Sequence, residues 1–227
     1  MTSTWKRSRF PWLALLVAFG LAAPAAAQPS TQAQHAYVGL KKCDGCHGKE
    51  LIGDQVGAWR KDPHAHAYAT LLEDRSRAIA TAHGVSKPPS EAPECLACHV
   101  TAYGVDAKSL AFPVNASDGV QCESCHGPGK DFRQKKIMSD HDEAAAKGLW
   151  DAAKDPAICT ACHNPSSPTW DPKRFALPGG KTAPFDFEVA KAAHVHPIPK
   201  DVKGKYLELE KKQKAESGED EEEDEDE

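Results

Sequence analysis

The stretch Gly119-Val120-Gln121-Cys122-Glu123-Ser124-Cys125-His126-Gly127-Pro128-Gly129 decides how this chain folds. Its centre is Cys-x-x-Cys-His, the attachment signature of c-type haem. Two thiols separated by two residues reach the two vinyl groups of one porphyrin as thioethers. The adjoining imidazole then lies under the iron as its proximal ligand. The pattern recurs at Cys43-Asp-Gly-Cys46-His47, Cys95-Leu-Ala-Cys98-His99 and Cys159-Thr-Ala-Cys162-His163. Together the four copies use all eight cysteines of the 227-residue chain. They predict four covalent c-type haems, each with its iron, attached through Cys43, Cys46, Cys95, Cys98, Cys122, Cys125, Cys159 and Cys162, with His47, His99, His126 and His163 as proximal ligands.

Two other chemistries use closely spaced cysteines. Structural zinc takes Cys-x-x-Cys pairs, but it has no use for a histidine after every second cysteine. A disulfide framework suits an oxidising compartment, but it does not demand one spacing repeated four times. Haem also accounts for an oddity of composition. A chain this long ordinarily buries a hydrophobic centre, yet this one lacks continuous apolar strands and has long runs rich in Pro, Gly and charge. The expectation is a mainly α fold, with short helices and long loops wrapped around four covalent haems and little or no sheet.

Each iron has a second face. Of the two methionines, Met138 is the one beyond the initiator, so at most one haem can be His/Met, the ligation that raises potential. Seven histidines lie outside the motifs: His35, His64, His66, His83, His141, His194 and His196. They suffice for bis-His ligation and low potentials. Asp62-Pro63 reads as a helix N-cap and first residue, and Tyr68, Leu71, Leu72 and Ile79 extend a helical stripe to about His83. That puts His64 or His66 in a first turn. Asp140 with Glu143 resembles a capping box, opening a short helix with His141 at its start and a stop at Gly148. Asp186 caps a helix ending at His194-Val-His196-Pro197. His64, His141 and His194 are the favoured second ligands, with His66, His196 and Met138 as substitutes. His35 is expected in solvent.

The ends of the chain read differently from its middle. Lys6, Arg7 and Arg9 precede an apolar run from Trp12 to Ala23, and Ala25-Ala26-Ala27 offers a small-residue cleavage site, which together form a secretory leader. The formal charge is −5, and the nine consecutive acids Glu219 to Glu227 leave the body near neutrality. No basic stripe exists to bind nucleic acid. The expected organisation is a leader over residues 1–27, a tetrahaem domain over 28–200, and a C-terminal helix with a disordered acidic tail over 201–227. That helix starts at Asp201, with Val202, Tyr206 and Leu209 on one face and Glu208/Lys212 and Glu210/Lys214 as supporting pairs. The Pro-rich stretches 86–93 and 164–180 read as loops. The predicted location is the periplasm.

Between about Val38 and His196 the chain resembles the periplasmic tetrahaem cytochrome c-554 family. The most specific part of the likeness is the stretch Gly119–Gly129 followed by Asp131-Phe132-Arg133. Lys41-Lys42, Trp59 five residues before His64, and Lys191-Ala-Ala-His194-Val-His196 match in character. The resemblance implies a helical fold with haem as its core. It also implies that His141 completes the haem on His47, His64 the haem on His126, and His194 the haem on His163. The haem on His99 would then lack a second protein ligand, with Phe185 as a cover. Longer loops between His47 and Trp59 and between Phe132 and His141, and His83 near the second motif as a candidate sixth ligand, depart from the family pattern.

The function expected is electron transfer between respiratory redox partners rather than catalysis, because an iron capped on both faces has no vacant site. By the resemblance the donor is like hydroxylamine oxidoreductase, and association with membrane-bound quinone or cytochrome partners is an expectation. Two alternatives stand beside it: a reductase of nitric oxide or another nitrogen oxide at an open haem on His99, and an electron-conducting subunit of a larger respiratory complex. Mass spectrometry of the mature protein should show the chain plus four haems. Changing Cys122 or Cys125 to Ala should remove one thioether bond and weaken folding.

Overall fold

The cysteine and histidine of each motif need to face one side, and a helix supplies that arrangement because positions i, i+3 and i+4 share a face. In the computed structural model, which describes residues 35–217, the first three motifs lie wholly on helices. Helix α1 (Leu40–His47) carries the first. Helices α2 (Gln55–Arg60), α3 (Ala67–Thr70) and α4 (Asp74–Ala82) follow. Helix α5 (Pro93–His99) carries the second motif and α6 (Cys122–His126) the third. After α7 (Lys135–Met138) and α8 (His141–Ala146), α9 (Pro156–Thr160) holds Cys159, and the fourth motif ends in the turn beyond it. Helices α10 (Phe187–Ala193) and α11 (Val202–Ser217) complete the series. The fold is mainly helical. Sheet is confined to a two-residue antiparallel pair, Phe175–Ala176 with Thr182–Ala183, and a single bridge between Tyr37 and Leu110. The predicted leader and the acidic run 219–227 lie outside the described residues.

The capping signals settle where these helices begin. Asp140 accepts from the backbone N–H groups of Asp142 and Glu143, and Asp186 from Val189. Asp62 accepts from His64 at 2.8 Å, so His64 does sit in a first turn. The single helix expected from there to His83 is instead a 3-10 turn, Pro63–His66, followed by α3 and α4. Hydroxyls explain the interruption, since the Thr70 side chain bonds the Ala67 carbonyl and Ser76 the Thr70 carbonyl. Such side chains compete with the helical ladder. The chain turns at Leu71 and Leu72, burying the first and exposing the second.

Ordinary core is scarce. Ile52 packs with Leu209, and Phe132 with Ile137 and Ala144. Met138 touches both groups, so its thioether is a packing element linking them. Leu209 brings α11 against the Glu50–Ile52 turn, so the C-terminal helix is packed on the body. Glu208 lies 3.5 Å from Lys212, as expected, and 3.0 Å from Lys205. The side chains of Val202, Tyr206 and Glu210 lie outside the described residues. Among the described residues no helix is long and apolar enough to cross a membrane.

What organises these small pieces is Glu123, a spacer residue of the third motif, only 2% exposed. Its carboxylate accepts the backbone N–H of Val38 at 2.9 Å, of Gly39 at 2.8 Å and of Gly129 at 2.7 Å. Gly39 immediately precedes α1, so the third motif grips the start of the first. The other spacer, Ser124, is 2.7 Å from the Thr101 hydroxyl, which itself accepts from the Gln121 N–H at 2.8 Å. Thr101 follows the second motif by two residues, so α6 is tied to both of its predecessors. Gly119, at φ +64°, lets the chain enter α6 beneath the His64 carbonyl, where a Cβ would stand 2.7 Å from that oxygen. Each bond to a charged acceptor is worth about 1.5–3 kcal/mol. Glu123→Gln, which replaces one acceptor oxygen by a donor facing another N–H, should cost about 3 kcal/mol, read as a lowered unfolding midpoint.

Candidate haem-binding site

Cysteines of different motifs lie beside one another. Cys43 shares a hydrogen bond with Cys122, which with burial pushes the Cys43 thiol up and lowers that of Cys122. Burial pushes Cys125 up to about 11, with Cys159 as a neighbouring influence. Burial likewise raises Cys162, which bonds to Cys98. By these thiol contacts the motifs neighbour one another in the order first, third, fourth, second. Helix packing agrees, with α1 against α6 and α6 against α9.

The imidazoles of the motifs are held by their outer nitrogens. His47 Nδ1 is 3.1 Å from Gln55 Oε1, and His99 Nδ1 is 2.7 Å from the Ala67 carbonyl oxygen. A carbonyl can only accept, so His99 carries its proton on Nδ1 and presents Nε2 as the lone-pair nitrogen. Metal-bound histidines ordinarily have this arrangement, donating the second ring N–H to a carbonyl or carboxylate. Burial lowers His47, His126 and His163, with His126 brought down to about 4. Each is thereby kept in the neutral form that can bind metal.

Among the remaining histidines, His64 and His194 converge on Asp62. His64 Nδ1 is 2.9 Å from Oδ1 and His194 Nδ1 is 2.5 Å from Oδ2, with the two ring centroids 4.6 Å apart. Burial pushes the Asp62 carboxyl up, but hydrogen bonds from His194 and the His64 backbone outweigh it and hold the group low. His64 is also 5.9 Å from the ring of His163, and His196 is 5.9 Å from that of His126. The resemblance pairs His64 with His126 and His194 with His163; the ring neighbours in the structure are crossed relative to that set. His141 sits at the start of α8, its side chain exposed and 3.6 Å from Asp142. His66 and His83 are exposed. Phe185 stacks on His163, with centroids 6.0 Å apart and planes 16° from parallel. His35, expected in solvent, is half-buried and 2.7 Å from Asp131.

Do these residues fit haem? The donor set does: half-exposed thiols two residues apart in each motif, imidazoles of which His47 and His99 have Nδ1 held by an acceptor, and few buried apolar side chains. Buried polar atoms point the same way. Gln121 is 1% exposed, yet its amide oxygen and nitrogen have no partner in the chain, and neither has His196 Nδ1. Buried polar groups are nearly always satisfied, by water or a bound group where protein supplies none. Sequence reasoning missed Glu123, Gln55 and Asp62. For Glu123 the signal was an acid flanked by Gly127 and Gly129, whose region offers backbone donors. For Asp62 it was a helix cap next to a candidate ligand. Gln55 carries no signal in the sequence.

Residues 42–127 match the family described as "Cytochrome c554 and c-prime". That stretch holds the first three motifs. The chain is 30% identical over 126 residues to "Cytochrome c-554" of Nitrosomonas europaea, an alignment covering 52% of each. It thus spans about half the length of this curated relative. No solved structure matches the chain. The resemblance carried by the motifs is to this same family, whose cofactor is c-type haem with its iron.

Acid should weaken the site. Folded His126 takes a proton only near pH 4, whereas in the unfolded chain it does so near its ordinary 6.5. Its contribution to stability is full above about pH 6.5 and is lost as pH falls toward 4, because the unfolded state binds the proton first. His47, His64, His163 and His196 shift in the same direction, chiefly through burial. The urea midpoint of the haem-free chain at pH 5 should lie below that at pH 7.

Proposed function

We propose that this relative of cytochrome c-554 is a periplasmic electron carrier with four c-type haems, one on each motif. Haem iron supplies one-electron chemistry; the protein supplies attachment, axial ligation and placement. The observation that carries this reading is the meeting of thiols across motifs, Cys43 with Cys122, Cys125 with Cys159, and Cys98 with Cys162. Neighbouring attachment points make a row of four centres, so electrons entering at either end have a path through the molecule.

In this reading His47, His99, His126 and His163 are proximal ligands, and His64, His141 and His194 are the distal ones. Nδ1 hydrogen bonds to Asp62 suit His64 and His194 to that role, and burial lowers His64 as well. The exposed His141 reaches iron through its position at the start of α8. The crossed ring contacts bring His196 in beside His126, which makes it the substitute if His64 serves the haem on His163. Redox partner proteins exchange the electrons, with a donor like hydroxylamine oxidoreductase by family likeness, and no substrate is turned over.

Redox titration of the purified protein should resolve four one-electron steps, and ferric spectra should be dominated by low-spin haem. His64→Ala and His194→Ala should each convert one low-spin haem to high spin. Fast multi-electron reduction of nitric oxide or nitrite would replace the carrier reading with that of a reductase.

A further inference from the structure

We propose that Asp62 is a positioning residue shared by two haems, one carboxylate fixing the axial imidazoles of His64 and His194 together. The inference rests on the reading of those histidines as distal ligands, and deepens it.

His64 and His194 lie 132 positions from Asp62 at the farther of the two, on the 3-10 turn and at the end of α10 respectively. One carboxylate oxygen serves each ring, Oδ1 to His64 at 2.9 Å and Oδ2 to His194 at 2.5 Å. The Asp62 side chain is 15% exposed, against 30% for His64 and 38% for His194, so the acceptor is the most sheltered of the three. Its own conformation is fixed a third time, by the His64 backbone N–H at 2.8 Å. A carboxylate facing both Nδ1 atoms requires a proton on each, which leaves Nε2 on both rings as the nitrogen that can bind iron.

The arrangement has an electronic consequence. A carboxylate that accepts the Nδ1 proton makes the imidazole more basic, orients it, and favours the ferric state of the iron it binds. Because one anion does this for two rings, the two haems share a single source of tuning. On the first and second motifs the proximal rings place Nδ1 against other acceptors, Gln55 and the Ala67 carbonyl. The same three residues bring ligand atoms within 4.8 Å of one another, as a divalent cation site would. Two short Nδ1 contacts to opposite oxygens already engage both carboxylate oxygens and both Nδ1 atoms, and they favour the positioning role.

The test uses the haem-loaded protein. Asp62→Asn keeps a cap oxygen for the His64 N–H and removes the charge and one acceptor. Two of the four midpoint potentials should rise, by about a tenfold change in the reduction equilibrium or about 59 mV for one electron. The g-values of the same two ferric haems should move while all remain low-spin. If the Asn variant fails to mature, Asp62→Ser retains a capping oxygen and carries the same measurement. Unchanged potentials would overturn the proposal, as would an equal rise in all four, which marks only the loss of a charge. Zinc binding to the wild-type holoprotein in calorimetry, abolished in the variant, would overturn it in favour of a cation site. His64→Ala and His194→Ala separate the two levels. If neither produces a high-spin haem the ligand reading itself fails, whereas if both do and Asp62→Asn moves nothing, only the positioning role fails.

Discussion

A buried carboxylate with three backbone N–H groups around it is the constraint on which the rest depends. Glu123 sits inside the third motif, yet what it holds is elsewhere: Val38 and Gly39 ahead of the first motif and Gly129 beyond its own. An unpaired buried acid would be costly, and three donors turn that cost into a lock. Where apolar side chains are few, polar bonds of this kind take over the task of fixing helices relative to one another. Thr101 and Ser124 do the same toward the second motif. The result is a frame in which α6 is central in contacts as well as in sequence.

Within that frame four imidazoles share one arrangement. His47, His99, His64 and His194 each place Nδ1 against an acceptor, whether Gln55, the Ala67 carbonyl or Asp62, and burial lowers His47 and His64. An Nδ1 so engaged leaves Nε2 as the nitrogen with the lone pair, the orientation that metal-binding histidines ordinarily have.

The sequence was most legible where chemistry is local. Cys-x-x-Cys-His spacing singles out candidate attachment residues directly, and the helix starts at Asp62, Asp140 and Asp186 follow from capping rules that operate within three residues. Where contacts are long-range, legibility ended. Nothing near His35 announces Asp131, and nothing near Phe185 announces His163. The break after Thr70 depends on two hydroxyls choosing carbonyls over water, which periodicity does not register. Spacer residues mislead for another reason. The haem signature leaves positions 123 and 124 open, so a residue there looks incidental even when it anchors the fold.

The spatial order of the motifs, first, third, fourth, second, differs from their order along the chain. Synthesis begins at the N-terminus, so the two ends of the row are made before its middle. A nascent chain holding only the first two motifs lacks the Glu123 carboxylate and the Ser124 hydroxyl, which tie α6 to the start of α1 and to Thr101. The third motif brings both ties, while the thiol neighbours of Cys125 and Cys98 wait for Cys159 and Cys162. The row of motifs is therefore interrupted in a half-made chain and closes only near the end of synthesis, when the fourth motif is in place.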